Sequence, residues 1–159
     1  MNLLFTSLCA LMPALLPMNN KQAKNVCQYE EVIVQEAEKN KIEPELLASV
    51  IYVESGFFPR VVSSANACGL TQVVPKYTGG PETGYKKYNC KQLKDPITSI
   101  KVGAQILAYH IKVYGKGNID VGLCYYSTGN VCLRDKTRHK KSYYVRKVKN
   151  VYDTITDGC

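Results

Sequence analysis

A helical pattern of apolar residues lies between Pro44 and Gly56. Read at 3.6 residues per turn, three apolar residues share one stripe with an acid: Leu47, Val50, Ile51 and Glu54. Pro44 suits the first turn of a helix, and Gly56 suits the position just beyond its last residue. The pattern therefore predicts a helix that ends with a carboxylate on its inner face.

The same period predicts four more helices, over about 26–40, 96–115, 120–126 and 142–155. Asp95 and Asp120 are interpreted as helix caps, and Ile97 as the first residue of an inner stripe. Residues 63–88 have no helical period, so we expect a loop there with one helical turn or a small hairpin. The predicted fold class is mainly α.

The length of the chain favours a single domain. Its 159 residues can bury one sizeable core, and no repeat or linker divides them. Residues 1–20 are uncharged and mostly apolar, which predicts a signal peptide or apolar leader before a domain over 21–159. The absence of Lys or Arg before the apolar run, and of an Ala-x-Ala site, leaves a buried leader or a retained anchor open.

The cysteines agree with an exported protein. Removal of a leader that contains Cys9 leaves six, at positions 27, 68, 90, 124, 132 and 159. Six cysteines in an oxidising compartment predict three disulfides, whose pairing the sequence does not rank. No Cys-x-x-Cys pair is present and the chain has two histidines, so we expect no metal site. A catalytic thiol at Cys68 or Cys124 would lack a nearby histidine.

Glu54 is a candidate general acid. Burial disfavours the charged form of a carboxyl group, so its pKa rises and it can hold a proton near neutral pH. The alternative is a structural glutamate at a helix end, whose side chain escapes to water or caps a neighbouring backbone group.

Five blocks of sequence set Glu54 in a wider pattern. They read Glu-Ser-Gly-Phe at 54–57, Gly-Leu-Thr-Gln at 69–72, Asp-Pro-Ile-Thr-Ser-Ile-Lys-Val-Gly-Ala at 95–104, Tyr-Tyr-Ser at 125–127 and Tyr-Val-Arg-Lys-Val at 144–148. In this order and spacing they resemble the lytic transglycosylase domain of the soluble (SLT) type, over most of residues 27–155. The chain departs from the family pattern at Thr71, where Met is usual, and at Ser99 and Ser127, where Asn is usual.

The resemblance implies a lysozyme-like single domain with a substrate cleft, stapled by disulfides, that cleaves the MurNAc-GlcNAc β-1,4 bond of peptidoglycan. Most glycosidases use two carboxylates, and Glu82, Asp95 and Asp120 are poor candidates for a second one. The family's solution is one catalytic glutamate, Glu54 here, that acts first as acid and then as base. The acetamido group of the sugar stabilises the positive charge, and its 6-hydroxyl closes a 1,6-anhydro ring. No cofactor is required.

Four further residues match substrate-binding positions of the family. Ser63 matches a loop serine near the acetamido group, and Gln72 would donate to the sugar and help to orient the acid. Tyr126 and Tyr144 match tyrosines that line the cleft. A turn role for Ser63 and core positions for both tyrosines stay open.

The net charge of +8 points to an anionic partner. Residues 134–149 contain eight Lys or Arg against Asp135 alone, which predicts attraction to a wall polymer or membrane surface, or a solvated helix face. We expect peptidoglycan glycan strands as the partner, together with a secretion, pilus, conjugation or phage machine, and no nucleic acid.

The sequence predicts an exported monomer, periplasmic or extracellular, or part of a phage virion. Three classes of function stay open: a lytic transglycosylase, a hydrolytic lysozyme on the same fold, and an inactive peptidoglycan-binding module.

Overall fold

A computed structural model describes residues 7–135 and 137–157. In those ranges the chain forms nine α-helices: α1 (Leu8–Leu15), α2 (Asn20–Lys39), α3 (Pro44–Ser55), α4 (Cys90–Leu93), α5 (Pro96–Tyr109), α6 (Ile119–Thr128), α7 (Val131–Arg134), α8 (Arg138–Lys141) and α9 (Tyr143–Asp157). Two 3₁₀ turns lie at Pro75–Tyr77 and Pro81–Thr83, and a π-helical turn at His110–Tyr114. The mainly α prediction is confirmed.

The loop before α4 is held by isolated pairings in place of a regular hairpin. Cys68 forms antiparallel bridges with Val62 and with Val73. These two bridges fold the segment that contains the second sequence block back on itself.

Helix α3 begins at Pro44 and ends before Gly56, as predicted. Gly56 has φ +60°, the left-handed conformation that glycine adopts without steric penalty. Helix α2 begins six residues before the predicted start at position 26, because Asn19 and Gln22 form a reciprocal capping box.

Two expectations about helix starts are wrong. Asn118 caps α6 by accepting from the Val121 amide, whereas Asp120 lies in the first turn and pairs with Lys149 at 3.0 Å. Asp95 does cap α5, but Ile97 is 60% exposed. The first turn of α5 lies at the surface, and the buried residues of the helix begin at Ser99 and Ile100.

Helix α3 joins the two main parts of the core. Its Leu47 and Ile51 pack in a cluster with residues of α1, α2, α5 and α9, and its Val50 packs in a second cluster with residues of α5, α6 and α9. All three side chains are fully buried. The helix that carries Glu54 is therefore covered by its neighbours along most of its length.

Three disulfides connect the described residues: Cys9 with Cys27, Cys68 with Cys90, and Cys124 with Cys132. The prediction of disulfides is confirmed, but the set of partners differs, since Cys9 takes part and Cys159 lies outside the described residues. Leu8 and Met12 of α1 are fully buried in the first core cluster. Cleavage of residues 1–20 stays a prediction.

None of the helices in the described ranges combines the length and the apolar character needed to cross a bilayer.

Candidate active site

Glu54 lies in the last turn of α3, where the chain turns sharply. Gly56 and the buried Phe57 both have positive φ, of +60° and +66°. Phe57 has a side chain and still adopts this conformation, so surrounding contacts must hold it there. The turn fixes where α3 stops and thus where the carboxyl group is presented.

Helix α2 and the second sequence block provide those contacts. The side-chain amide of Gln22 donates to the Gly56 carbonyl at 3.1 Å, and that of Asn25 donates to the Phe57 carbonyl at 2.9 Å. The Ser55 hydroxyl donates to the Leu70 carbonyl at 2.8 Å. These bonds connect the end of α3 to a helix that precedes it and to a loop that follows it.

The carboxyl group of Glu54 is largely desolvated. Burial raises its pKa to about 7, against a smaller opposing effect from the Tyr144 hydroxyl and from the charge of Lys147. It forms no ion pair among the described residues. Close to half of such groups carry a proton at pH 7, which is the state that a general acid needs.

Tyr126 stands beside Glu54 with its hydroxyl fixed. The hydroxyl donates to the Thr71 carbonyl at 2.7 Å. Burial, together with the nearby charge of Glu54, raises the pKa of Tyr126, so the phenol stays neutral. This bond connects α6 to the loop of the second sequence block.

Thr71 and Ser99 are in direct contact. The Thr71 hydroxyl donates to the Ser99 carbonyl at 2.8 Å, and the Ser99 hydroxyl accepts from the Thr71 amide at 3.2 Å. Both side chains are fully buried. Two of the three departures from the family pattern therefore touch each other, and together they hold the carbonyl that receives the Tyr126 hydroxyl.

Tyr144 contributes a second hydroxyl on the side of α9. Its oxygen is buried and has no hydrogen-bond partner of normal geometry among the described residues. Burial and then the charge of Glu54 raise its pKa. The same hydroxyl also lowers the pKa of Glu54, so it is a donor directed at the acid and at a ligand bound there.

The side chains of Ser63 and Gln72 form hydrogen bonds with backbone groups of their own loops. The Ser63 oxygen accepts from the amides of Ala65 and Ala67, which is the turn role that the sequence left open. The Gln72 amide donates to the carbonyls of Val61 and Gly69, at 3.0 and 2.9 Å. Gln72 thus closes the loop, and its oxygen is the part of the amide that remains for a ligand.

The His110 ring packs against the Tyr126 ring, a role that the sequence did not predict. Its ring centroid lies 6.2 Å from that of Tyr125 and 6.3 Å from that of Tyr126. Burial lowers its pKa to about 4, so the imidazole is neutral at physiological pH. His110 begins the π-helical turn that follows α5, and no motif or spacing in the sequence marks it.

The candidates for a second carboxylate lie elsewhere. Asp95 is a helix cap, Asp120 pairs with Lys149, and Glu82 lines a separate cavity. In the described ranges no group of three or more metal-ligating side chains occurs. The arrangement around Glu54 is therefore one protonatable acid flanked by two phenolic hydroxyls.

Comparison with known proteins gives a family model and several similar proteins. A family model described as the transglycosylase SLT domain matches residues 31–149. Membrane-bound lytic murein transglycosylase E of Buchnera aphidicola is 32% identical over 97 residues, which are 58% of this chain and 44% of that protein. Membrane-bound lytic murein transglycosylase C of Yersinia enterocolitica is 33% identical over 94 residues, 56% of this chain and 26% of that protein. The chain spans less than half the length of these curated relatives.

Solved structures show the same fold. The 70-kDa soluble lytic transglycosylase in complex with bulgecin A has a TM-score of 0.69 and 22% identity, over 86% of this chain and 25% of that chain. An inactive mutant of the lytic transglycosylase Slt from Pseudomonas aeruginosa has a TM-score of 0.64 and 18% identity, over 80% of this chain and 24% of that chain.

Proposed function

Because the chain belongs to the transglycosylase SLT family, we propose that it cleaves the MurNAc-GlcNAc β-1,4 bond of peptidoglycan, with Glu54 as its single catalytic carboxylate. The observation that carries the proposal is the desolvated Glu54 carboxyl group, whose pKa burial raises to about 7. A normal glutamate would be ionised at neutral pH and could not donate a proton.

In the first step Glu54 gives its proton to the bridging oxygen while the bond from that oxygen to the anomeric carbon breaks. Positive charge then develops on the muramic sugar, and the acetamido group of the same sugar stabilises it, since residues 7–135 and 137–157 place no second candidate carboxylate beside Glu54. Tyr144 supports this step because its hydroxyl faces Glu54 and can donate to the carboxylate that forms or to the substrate.

In the second step the Glu54 carboxylate takes the proton of the sugar's 6-hydroxyl. The hydroxyl oxygen attacks the anomeric carbon, which closes a 1,6-anhydro ring and restores protonated Glu54. The reaction consumes no water and no cofactor. A site built from one acid and neutral phenols supports this route better than one that needs a separate base.

Digestion of purified sacculi, with product masses read by mass spectrometry, tests the proposal. We expect anhydro-muropeptides from the wild type and none from Glu54→Gln. The matched control is Glu38→Gln, which changes an exposed glutamate of α2 and should leave the products unchanged. Products with a reducing end would instead identify a hydrolytic lysozyme, and unchanged binding of sacculi without any product would identify an inactive module.

We also propose export, with the protein acting as a monomer that locally opens the wall for an envelope-spanning machine or a phage. Three disulfides favour an oxidising compartment. The exposed basic residues of α8, next to the start of α9 that carries Tyr144, would attract an anionic wall from the side of the site.

A further inference from the structure

A second concave site lies away from Glu54. A cavity of about 880 Å³ opens between the end of α2, the 3₁₀ turn Pro81–Thr83, and the second half of α5 with the turn that follows it. This volume lies in the range that binds small ligands in proteins. None of the residues near Glu54 lines it. Ile42, just before α3, is part of its wall, whereas Glu54 is at the other end of α3, about 15 Å along the helix axis.

The wall of the cavity carries an excess of positive charge. Lys39 and Lys41 stand on one side and Lys112 and Lys116 on the other, against the single carboxylate of Glu82, so the formal charge is 4 − 1 = +3. In the described part of the chain none of these lysines forms an ion pair, the pair found there being Lys149 with Asp120. The four ammonium groups are therefore available to an anionic ligand.

Two of these lysines have an unusual backbone. Lys41 has φ +57° and Lys116 has φ +49°, a conformation in which glycine or asparagine is favoured. Both residues border the same cavity, from segments far apart in the sequence. Lysine at two such positions, where glycine would fit with less strain, points to a requirement for the side chain.

The cavity also contains an unused polar group and an apolar surface. The side-chain oxygen of Gln105 is buried without a partner among the described residues, and Gln105 lines the cavity. A ligand that brings an N–H group could satisfy it after a small rotation of the amide. Ala108 and Ile111 add apolar surface between the lysines.

From these features we infer that the cavity is a binding site for an acidic peptide, and specifically for the peptide stem of peptidoglycan, which rests on the proposed function of the Glu54 site. A stem peptide has several free carboxylates for the lysines, one amine for Glu82, alanine methyl groups for the apolar surface and amide N–H groups for Gln105. Glu82 would repel a polymer with uniform negative charge, so a polyphosphate or teichoic acid fits the wall less well.

Titration of isotope-labelled full chain with a synthetic tripeptide, L-alanyl-γ-D-glutamyl-diaminopimelate, tests binding directly. We expect shifts in the NMR signals of Lys41, Gln105 and Lys116, and affinity about tenfold weaker in Lys41→Gln/Lys116→Gln. The control Lys24→Gln/Lys91→Gln removes the same charge from exposed positions outside the cavity and should bind as the wild type does. Absence of these shifts, or tighter binding of linear polyphosphate at the same signals, would overturn the inference.

Digestion of two substrates separates this site from the catalytic one. On peptide-bearing glycan, Lys41→Gln/Lys116→Gln should raise KM about tenfold with kcat unchanged, and on glycan stripped of its peptides it should behave as the wild type. An equal effect on both substrates would contradict stem recognition. If the wild type cleaves neither substrate, the proposed reaction fails, while the tripeptide titration still decides whether the cavity binds peptide.

Discussion

At the scale of single residues, Glu54 is placed where it weakens the fold. Its pKa is about 7 in the folded protein and 4.5 for an ordinary glutamate. The folded state therefore holds the proton more tightly than the unfolded state. Tighter proton binding in the folded state adds to the free energy of unfolding. This contribution is fully present below pH 4.5 and is lost as the pH rises to 7 and above.

Glu54→Gln should accordingly stabilise the protein in a pH-dependent way. We expect little change at pH 4 and a gain of up to about 3 kcal/mol in the free energy of unfolding at pH 8, because a neutral amide avoids the desolvation of the carboxylate. Urea denaturation of both proteins at the two pH values measures it. An equal difference at pH 4 and pH 8 would show that Glu54 has a normal pKa.

The hydroxyl of Tyr126 fixes one side of the site. Removing it in Tyr126→Phe leaves the Thr71 carbonyl without its partner at 2.7 Å, which should lower the free energy of unfolding by about 1 kcal/mol. Cleavage of sacculi should also slow by about tenfold, since the ring beside Glu54 is no longer held in place. Tyr143→Phe is the control, because Tyr143 is 72% exposed, and a similar loss there would argue against this role.

At the scale of secondary structure, the sequence predicted those helix ends that are set by residues next to them in the chain. Pro44 and Gly56 delimit α3, and Asp95 caps α5, as expected from sequence. Asn118 and Asp120 are both capping types two positions apart, so composition alone could not choose between them. The π-helical turn at His110–Tyr114 was not predicted, because the apolar spacing continues through it.

Hydrogen bonds between segments that are distant in the chain could not be predicted from the sequence. Glu54, Tyr126 and Tyr144 are brought together as the family resemblance implies, but the bond between Thr71 and Ser99 joins residues 28 positions apart. The sequence marked Thr71 and Ser99 as two separate departures from the family pattern and gave no sign that they are in contact. The loop-closing bonds of Gln72 were missed for a similar reason, since its partner Val61 lies outside the block that contains it.

A double-mutant cycle tests whether Thr71 and Ser99 act as one unit. Thr71→Val and Ser99→Ala each remove a buried hydroxyl and should each destabilise the protein by about 1–3 kcal/mol. The double variant should lose less than the sum, by about 0.5 kcal/mol or more, because the two hydroxyls also contact each other at 3.0 Å and either single substitution already removes that contact. Additive losses in thermal unfolding would mean that the two residues contribute independently.

At the scale of the whole molecule, α1 belongs to the core. Leu8 and Met12 are fully buried, and Cys9 is bonded to Cys27 of α2. Its apolar composition resembles a leader, but Leu8, Leu11 and Met12 place one apolar face of the helix in the core. The apolar residues of α1 are therefore also explained by packing in the core.

Two substitutions measure that role. Met12→Ala should lower the free energy of unfolding by about 2–5 kcal/mol through the cavity that it leaves. Cys9→Ser should lower it by about 2–4 kcal/mol through loss of the crosslink. Leu15→Ala, at a position 40% exposed on the same helix, is the control. If residues 1–20 are instead removed as a leader, the purified mature protein will begin after α1 and be fully stable without it.

The order of the disulfides along the chain has a consequence for biosynthesis. Each described pair joins neighbouring cysteines, first with second, third with fourth and fifth with sixth, across 18, 22 and 8 residues. A chain that emerges from a translocation pore amino terminus first can close each bridge before the next cysteine appears. If the chain is exported as proposed, oxidation in order of emergence would produce these three pairings directly, without an isomerase to reshuffle mispaired thiols.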